Sequence, residues 1–236
     1  VFDGSGQVRG TGQQQFAQHF PAPGHVEHDA EEILQSQLHA AETAWQHAGR
    51  PRITAAGITN QRETVVVFER ATGRPIHRAI VWQDRRTAAV LARLRAAGHE
   101  PAVRARTGLP LDPYFSAAKI AWILDHVPGA RQRAERGELC AGPIDSWLVF
   151  KLPGGESFVT DAGNASRTSL YDLATGGWSD ALCALFDVPR ACLAGIQDSA
   201  GDFGTAPHGW PLRAVLGDQQ AALFGHGCVE PGETKC

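Results

Sequence analysis

Three short segments of this 236-residue chain carry polar side chains at the ends of apolar runs: Asn60-Gln61-Arg62-Glu63-Thr64, Ile80-Val81-Trp82-Gln83-Asp84, and Gly217-Asp218-Gln219-Gln220, which continues into Ala221-Ala222-Leu223-Phe224-Gly225. Strands ending at such points deliver polar residues to one edge of a sheet. Together the segments offer a cation, carboxylates, amides and an indole. That inventory suits a small polyol, whose hydroxyls each donate and accept while its carbons are apolar.

Asp218 follows Gly217 and opens an apolar helix, whose positive end favours an ionised carboxylate. An aspartate there is an ordinary helix cap or, in a site, a group that orients a hydroxyl and takes its proton. Arg62 and Glu63 are adjacent, so a regular strand would point them to opposite faces. Both meet one ligand only where the chain bends, as the short 60–64 connection allows. Arg62 supplies fixed donors and Glu63 only acceptors, although such a pair also reads as a solvated turn. Trp82 and Tyr114 offer aromatic faces with a polar handle, or plain core packing. Gln219 carries donors and an acceptor on one amide, or is simply a solvated residue of a first helical turn.

Other polar clusters carry less. Gly4-Ser5-Gly6 and Gly10-Thr11-Gly12 do not stand between a strand and a helix as phosphate loops require, and both read as turns. His25 and His28, with Glu27 between them, lie in a Pro-Gly context with no third ligand in view, so no metal is expected.

These residues need elements to hold them. Val1-Phe2, the Asp3-Gly4-Ser5-Gly6 turn and the alternation through Phe16 predict a hairpin. Asp29 with Glu32 predicts a capping box, followed by a helix bearing Leu34, Leu38, Ala41 and Trp45. Strands are expected over 53–59, 64–69 and 76–82, with a turn at Gly73. Helical patterning then runs from Asp84 to about Gly155. It includes one helix capped by Ser116 with Ile120, Leu124 and Val127 buried, and another starting at Pro143-Ile144-Asp145 and carrying Trp147, Leu148 and Phe150. A short strand over 158–160, a helix after Ser179, a strand near Val215 and a last helix from Gly217-Asp218 complete the pattern. The fold class is α/β, a mixed sheet flanked by helices, in one domain over 1–236.

Hydrophobic residues at 43% and charged residues at 20% are ordinary for a globular chain. A net charge of −3 gives no basic surface for nucleic acid, and no apolar run is long enough to span a bilayer. The five cysteines (Cys140, Cys183, Cys192, Cys228, Cys236) are odd in number and show no CxxC spacing, which points to a reducing cytoplasm. The chain contains no methionine, so it reads as a piece of a longer protein.

The three segments above resemble those of the FGGY carbohydrate kinases, most closely the glycerol kinase branch. The likeness extends through Phe20-Pro21-Ala22-Pro23-Gly24-His25-Val26-Glu27-His28-Asp29, Leu111-Asp112-Pro113-Tyr114-Phe115-Ser116 and Thr160-Asp161-Ala162-Gly163-Asn164-Ala165-Ser166-Arg167-Thr168, in the family's order. The resemblance implies an actin-like, ribonuclease-H-like ATPase domain and transfer of the γ-phosphate of ATP, with Mg2+, to glycerol. It implies that Asp218 is the base and that Arg62, Glu63, Trp82, Tyr114 and Gln219 position the substrate. Asp161, Asn164 and Arg167 would lock a loop to the sheet. The partner would be the small molecule glycerol, in a cytoplasmic enzyme that is a homo-oligomer at full length.

Departures from the family pattern accompany the likeness. The Asp-x-Gly-Thr-Thr hairpin that handles ATP phosphates and Mg2+, the second phosphate loop and the adenosine-binding domain have no counterpart in this sequence. No nucleotide- or metal-binding residue is therefore assigned, and this chain alone is expected to be inactive. The region 204–216 lacks the Gly-Thr-Arg loop of bacterial enzymes inhibited by a sugar bisphosphate. Alternatives remain: another FGGY kinase acting on a sugar or longer polyol, or a non-catalytic polyol-binding actin-like protein.

Overall fold

The computed structural model describes residues 1–235. Its main sheet has five strands in the order Gln18–His19, Glu27–His28, Ala79–Ile80, Val65–Glu69, Leu139–Pro143, all antiparallel. A second sheet orders Thr205–Ala206, Trp210–Gly217 and Ala56–Asn60, the last two strands running parallel. Val159–Asp161 pairs in parallel with Gly195–Gln197, and Tyr171–Asp172 pairs antiparallel with Gly177–Trp178. Pairing is thus mixed, as the α/β reading expects.

The run Val65-Val66-Val67-Phe68 is fully buried because both of its faces are covered. Its period of two sorts the core. Val65 and Val67 join a cluster with Ile120, Ile123 and Leu124 of the helix Ser116–His126. Val66 and Phe68 join Ile33 and Leu34 of the helix Ala30–His47, and Trp147 of the helix Ile144–Lys151. Each such side chain contributes roughly 1.5–3 kcal/mol on burial, so this strand anchors helices on both sides. A third cluster, around Val149, Phe203, Leu212 and Val215, seats the strand Trp210–Gly217.

Most expected elements are present, with instructive differences. Asp29 caps its helix, accepting from the N–H groups of Glu31 and Glu32. The reciprocal half of the box is missing, because the Glu32 carboxylate accepts instead from the Ala17 N–H at 3.3 Å. Ser116 is not a cap. It is the first helical residue, and its buried hydroxyl has no partner. The N–H of Ala117, in that first turn, donates to the Thr168 carbonyl at 2.8 Å. Pro143 and Ser179 do precede helices, Ile144–Lys151 and Asp180–Phe186.

The strand expected over 76–82 shrinks to Ala79–Ile80. Ile76 still donates to the Val67 carbonyl, but a bend at Ile76 and His77 breaks the ladder and Trp82 enters a turn. The N-terminal hairpin reduces to one bridge, Phe2 to Val8, around a turn held by the Asp3 carboxylate. Gly10 and Gly12 form no turn. They lie against the helix Ala30–His47, where a Cβ would land on the carbonyl oxygens of Ala44 and Ala40. Side-chain-free residues are what that close approach requires.

Among the described residues no helix is long and apolar enough to cross a membrane. Cys140, Cys183, Cys192 and Cys228 are free thiols, and Cys236 lies outside the described residues.

Candidate functional site

Register builds the site. In the parallel ladder Asn60 lies opposite Gly217, so both strands end at the same edge and the next residues of each meet. Arg62 Nε sits 3.5 Å from Asp218 Oδ1, and Arg62 Nη1 donates to Gln220 Oε1 at 3.2 Å. Gly217 makes this possible: a Cβ there would overlap Arg62 Cδ and lie 2.5 Å from Cγ. Asp218 begins the helix Asp218–Gly225 with Gly217 in the cap position, and its side chain is half exposed. Oδ1 also accepts from the Gln219 N–H at 2.8 Å, while Oδ2 accepts no hydrogen bond among the described residues.

The chain turns at Arg62 and Glu63 between strands Ala56–Asn60 and Val65–Glu69, which resolves the opposite-face problem. Thr64 ties the turn by donating to Gln61 Oε1 at 2.9 Å. Glu63 is 2% exposed and accepts from Arg167 Nε at 2.7 Å. A buried carboxylate needs such a charged partner. The Arg167 guanidinium in turn lies over the rings of Phe115 (5.0 Å) and Tyr114 (5.9 Å). Tyr114 and Trp82 face each other with centroids 5.5 Å apart, and Trp82 is 36% exposed. Burial, and next the Glu63 charge, push the Tyr114 phenol above its ordinary value.

Arg62, Glu63, Trp82, Tyr114 and Asp218 therefore share one edge of the fold, with acceptors, donors and an aromatic wall in reach of one another. Gln219 sits on the same helical turn but is exposed, and its Oε1 accepts from Lys235 Nζ at 3.0 Å.

Gln220 holds Arg62, a contact the sequence reading did not anticipate, and Arg167, expected to lock a loop to the sheet, holds Glu63. Asp84 is structural: its carboxylate accepts from the Val26 N–H at 2.6 Å and from Arg86. Arg86 also reaches Glu27 at 2.8 Å and lies 4.4 Å from the Trp122 ring centre, pinning the turn that carries Trp82. Glu27 is thus engaged in an ion pair. His28 packs edge-on to Phe16, and burial lowers its basicity.

Behind the site runs a buried polar chain. Asn60 Nδ2 donates to Asn164 Oδ1 at 2.8 Å and approaches Asp145 Oδ1 at 3.5 Å. Asn164 donates to Asp161 Oδ1 through Nδ2 at 2.7 Å and through its N–H at 2.8 Å. Thr160 donates to Asp145 Oδ2 at 2.6 Å. Burial pushes Asp145 up to about 7. This chain joins the 160–168 segment to the strand that delivers Arg62, as the loop-locking expectation has it for Asp161 and Asn164.

In the 204–216 region, Ala206-Pro207-His208-Gly209-Trp210 makes a tight connection with His208 at φ 64°. Trp45, His208 and Trp210 pack there as a ring cluster. Among the described residues no group of three His, Cys, Asp or Glu side chains converges as a metal site.

The model of the FGGY family of carbohydrate kinases, N-terminal domain, matches residues 1–225. Glycerol kinase from Alkalilimnicola ehrlichii is 55% identical over 243 residues, covering 100% of this chain and 49% of that protein. Glycerol kinase from Deinococcus radiodurans is 52% identical, covering 100% and 48%. The crystal structure of Plasmodium falciparum glycerol kinase with ADP superimposes with a TM-score of 0.88 at 32% identity, over 93% of this chain and 46% of the other. Xylulose kinase from Rhodospirillum rubrum shares the fold, with a TM-score of 0.82 at 22% identity over 93% and 47%. The chain spans about half the length of the curated relatives it matches. By sequence and by its actin-like ATPase fold, this chain belongs to the FGGY family of carbohydrate kinases.

Proposed function

We propose that this chain is the substrate-side domain, over residues 1–236, of a glycerol kinase. The whole protein would transfer the γ-phosphate of ATP to a terminal hydroxyl of glycerol, giving glycerol 3-phosphate and ADP. The observation that carries the reading is the convergence of Arg62 and Asp218 at 3.5 Å beside the buried, Arg167-held Glu63. Whole-chain likeness to glycerol kinases supports the choice of substrate.

Phosphoryl transfer to an alcohol rests on positioning and on one carboxylate that receives the hydroxyl proton. Asp218 fills that role: its unbonded Oδ2 orients the attacking hydroxyl and takes the proton as the oxygen bonds to the γ-phosphorus and the bridging P–O bond breaks. Arg62 donates to one polyol oxygen and Glu63 accepts from hydroxyls. Trp82 and Tyr114 cover the carbon face, and Gln219 would have to exchange Lys235 for a hydroxyl. A substrate lacking a hydroxyl leaves the largely buried Arg62 and Glu63 short of a partner and is disfavoured.

The residues of this chain do not by themselves fit a nucleotide–metal site. Among the described residues no group of three His, Cys, Asp or Glu side chains converges, and the glycine segments form a surface turn and a helix contact. We assign ATP and Mg2+ to parts of the protein that this chain does not span, and we infer a cytoplasmic homo-oligomer at full length.

The test is ADP release by the full-length protein with glycerol, xylulose and erythritol, repeated with Asp218→Asn. Glycerol-dependent turnover lost on substitution supports substrate and base together. Preference for xylulose or erythritol moves the protein to a sibling kinase. A folded protein without turnover would favour a binding role.

A further inference from the structure

Lys119 is 0% exposed, although lysine is among the side chains least often fully buried. It lies in the first turn of the helix Ser116–His126, directly behind the candidate site. Its Nζ makes two hydrogen bonds, both to backbone carbonyls rather than to a carboxylate: 3.2 Å to Glu63 O and 2.5 Å to Tyr114 O. Those carbonyls belong to two segments far apart in sequence. One is the turn that presents Arg62 and Glu63; the other is the loop that presents Tyr114 against Trp82.

The arrangement is costly. Burial pulls the amine down to about 7 from its ordinary 10.5. An apolar residue of similar length would fill the same space without that penalty, so packing alone does not account for a lysine here. What the amine supplies is a set of donors at the end of a long stem, enough to bond both carbonyls whether it is charged or neutral. No other side-chain donor bonds the Glu63 or Tyr114 carbonyl among the described residues.

We propose that Lys119 is a positioning residue for the polyol site: by bonding the carbonyls of Glu63 and Tyr114 together, it sets the gap between the Arg62–Glu63 turn and the Tyr114–Trp82 wall. The proposal rests on the polyol reading for what fills that gap. The cross-strut itself is testable independently of substrate. A gap held to a fraction of an ångström is what orientation of a small ligand demands. Loss of the strut therefore weakens binding of the small polyol first.

The experiment compares the full-length protein with Lys119→Met and Lys119→Gln by hydrogen exchange, thermal melting and steady-state kinetics with glycerol. In Lys119→Met, amide exchange is expected to rise together in segments 61–64 and 112–116. The melting temperature should be unchanged or higher, and KM for glycerol should rise about tenfold while kcat stays within about threefold. Lys119→Gln keeps two amide donors on a stem one atom shorter, too short to span both carbonyls, and should also raise KM. Unchanged exchange in both segments overturns the strut whatever the substrate is. Altered exchange with parental KM overturns the positioning role, as does a Gln variant as tight as the parent. A lower melting temperature with parental KM marks a purely structural lysine and also overturns it. Coupled loosening in a protein that does not turn over glycerol would support the strut and count against the glycerol reading alone.

Discussion

Arg167 reaches across the fold to donate from Nε to Glu63 Oε1 at 2.7 Å, and this one pair joins the 160–168 segment to the turn that presents Arg62. Glu63 is buried and Arg167 about a quarter exposed. Removing the arginine strands a carboxylate in a dry environment. Arg167→Ala should therefore lose stability near the lower end of the ~3–5 kcal/mol seen when a buried pair is broken. Arg167→Lys should lose less. Urea unfolding of the three proteins checks this, and parental stability in the alanine variant would contradict it.

Gly217→Ala is a minimal change in a demanding place. Its methyl would occupy the space of Arg62 Cδ, so the arginine must swing away from Asp218. Kinetics in the full-length enzyme should show KM for glycerol raised at least about tenfold, with a stability loss of only ~1–3 kcal/mol typical of local overpacking. A variant with parental KM would show that Arg62 does not need its observed path.

Neighbouring glutamines should differ. Gln220 bonds Arg62, whereas Gln219 is turned to Lys235. If Gln219 exchanges that partner for a hydroxyl when glycerol binds, Gln219→Ala should raise KM through lost substrate contact. Gln220→Ala should raise it through a looser Arg62, by a factor of a few, corresponding to ~1 kcal/mol for one hydrogen bond. Combining Gln220→Ala with Arg62→Ala should add nothing further, because both act through one side chain; full additivity would argue otherwise.

Two buried groups give stability a distinctive pH dependence. Asp145 has a folded value of about 7 against an ordinary 3.8, with burial the main cause and the nearby Asp161 charge adding to it. Between those values the unfolded chain releases its proton first, so stability falls as pH rises from about 3.8 to 7. Lys119 has a folded value of about 7 against 10.5, lowered by burial and partly offset by Glu63, Asp84 and Asp112, with Arg86 opposing them. The unfolded chain binds the extra proton between 7 and 10.5, so stability recovers as pH climbs through that window. Together they place a minimum near pH 7. Urea midpoints across pH should show it, with Asp145→Asn flattening the acid limb and Lys119→Met the alkaline one.

Legibility in the sequence followed distance along the chain. The meeting of Arg62 with Asp218 could be anticipated because each stands just past the end of an apolar strand, and the Arg62–Glu63 turn because adjacent residues cannot otherwise face one ligand. The partners of those residues could not. Arg167 reads as a residue that locks a loop to the sheet, and nothing local names Glu63 as its partner. Lys119, in Ala117-Ala118-Lys119-Ile120, reads as the wet face of a helix, since nothing local says that both faces of its first turn are covered. Ser116 is likewise no cap: the helix takes it as its first residue and buries its hydroxyl without a partner. Helices and the buried valine strand were visible as periodicity. The short ladders, such as Ala79–Ile80, depend on tertiary neighbours and were not.

The chain has only two tyrosines, and each stands beside an indole: Tyr114 by Trp82 at 5.5 Å, and Tyr171 by Trp178 at 6.4 Å. At such separations light absorbed by the phenols passes to the neighbouring rings, so the folded protein should emit almost purely as tryptophan. Tyrosine emission then becomes a signal of unfolding that needs no label. Trp82, open to solvent at the mouth of the site, is also the indole that a soluble quencher would reach and a bound polyol would shield, which gives the site an optical readout of its own.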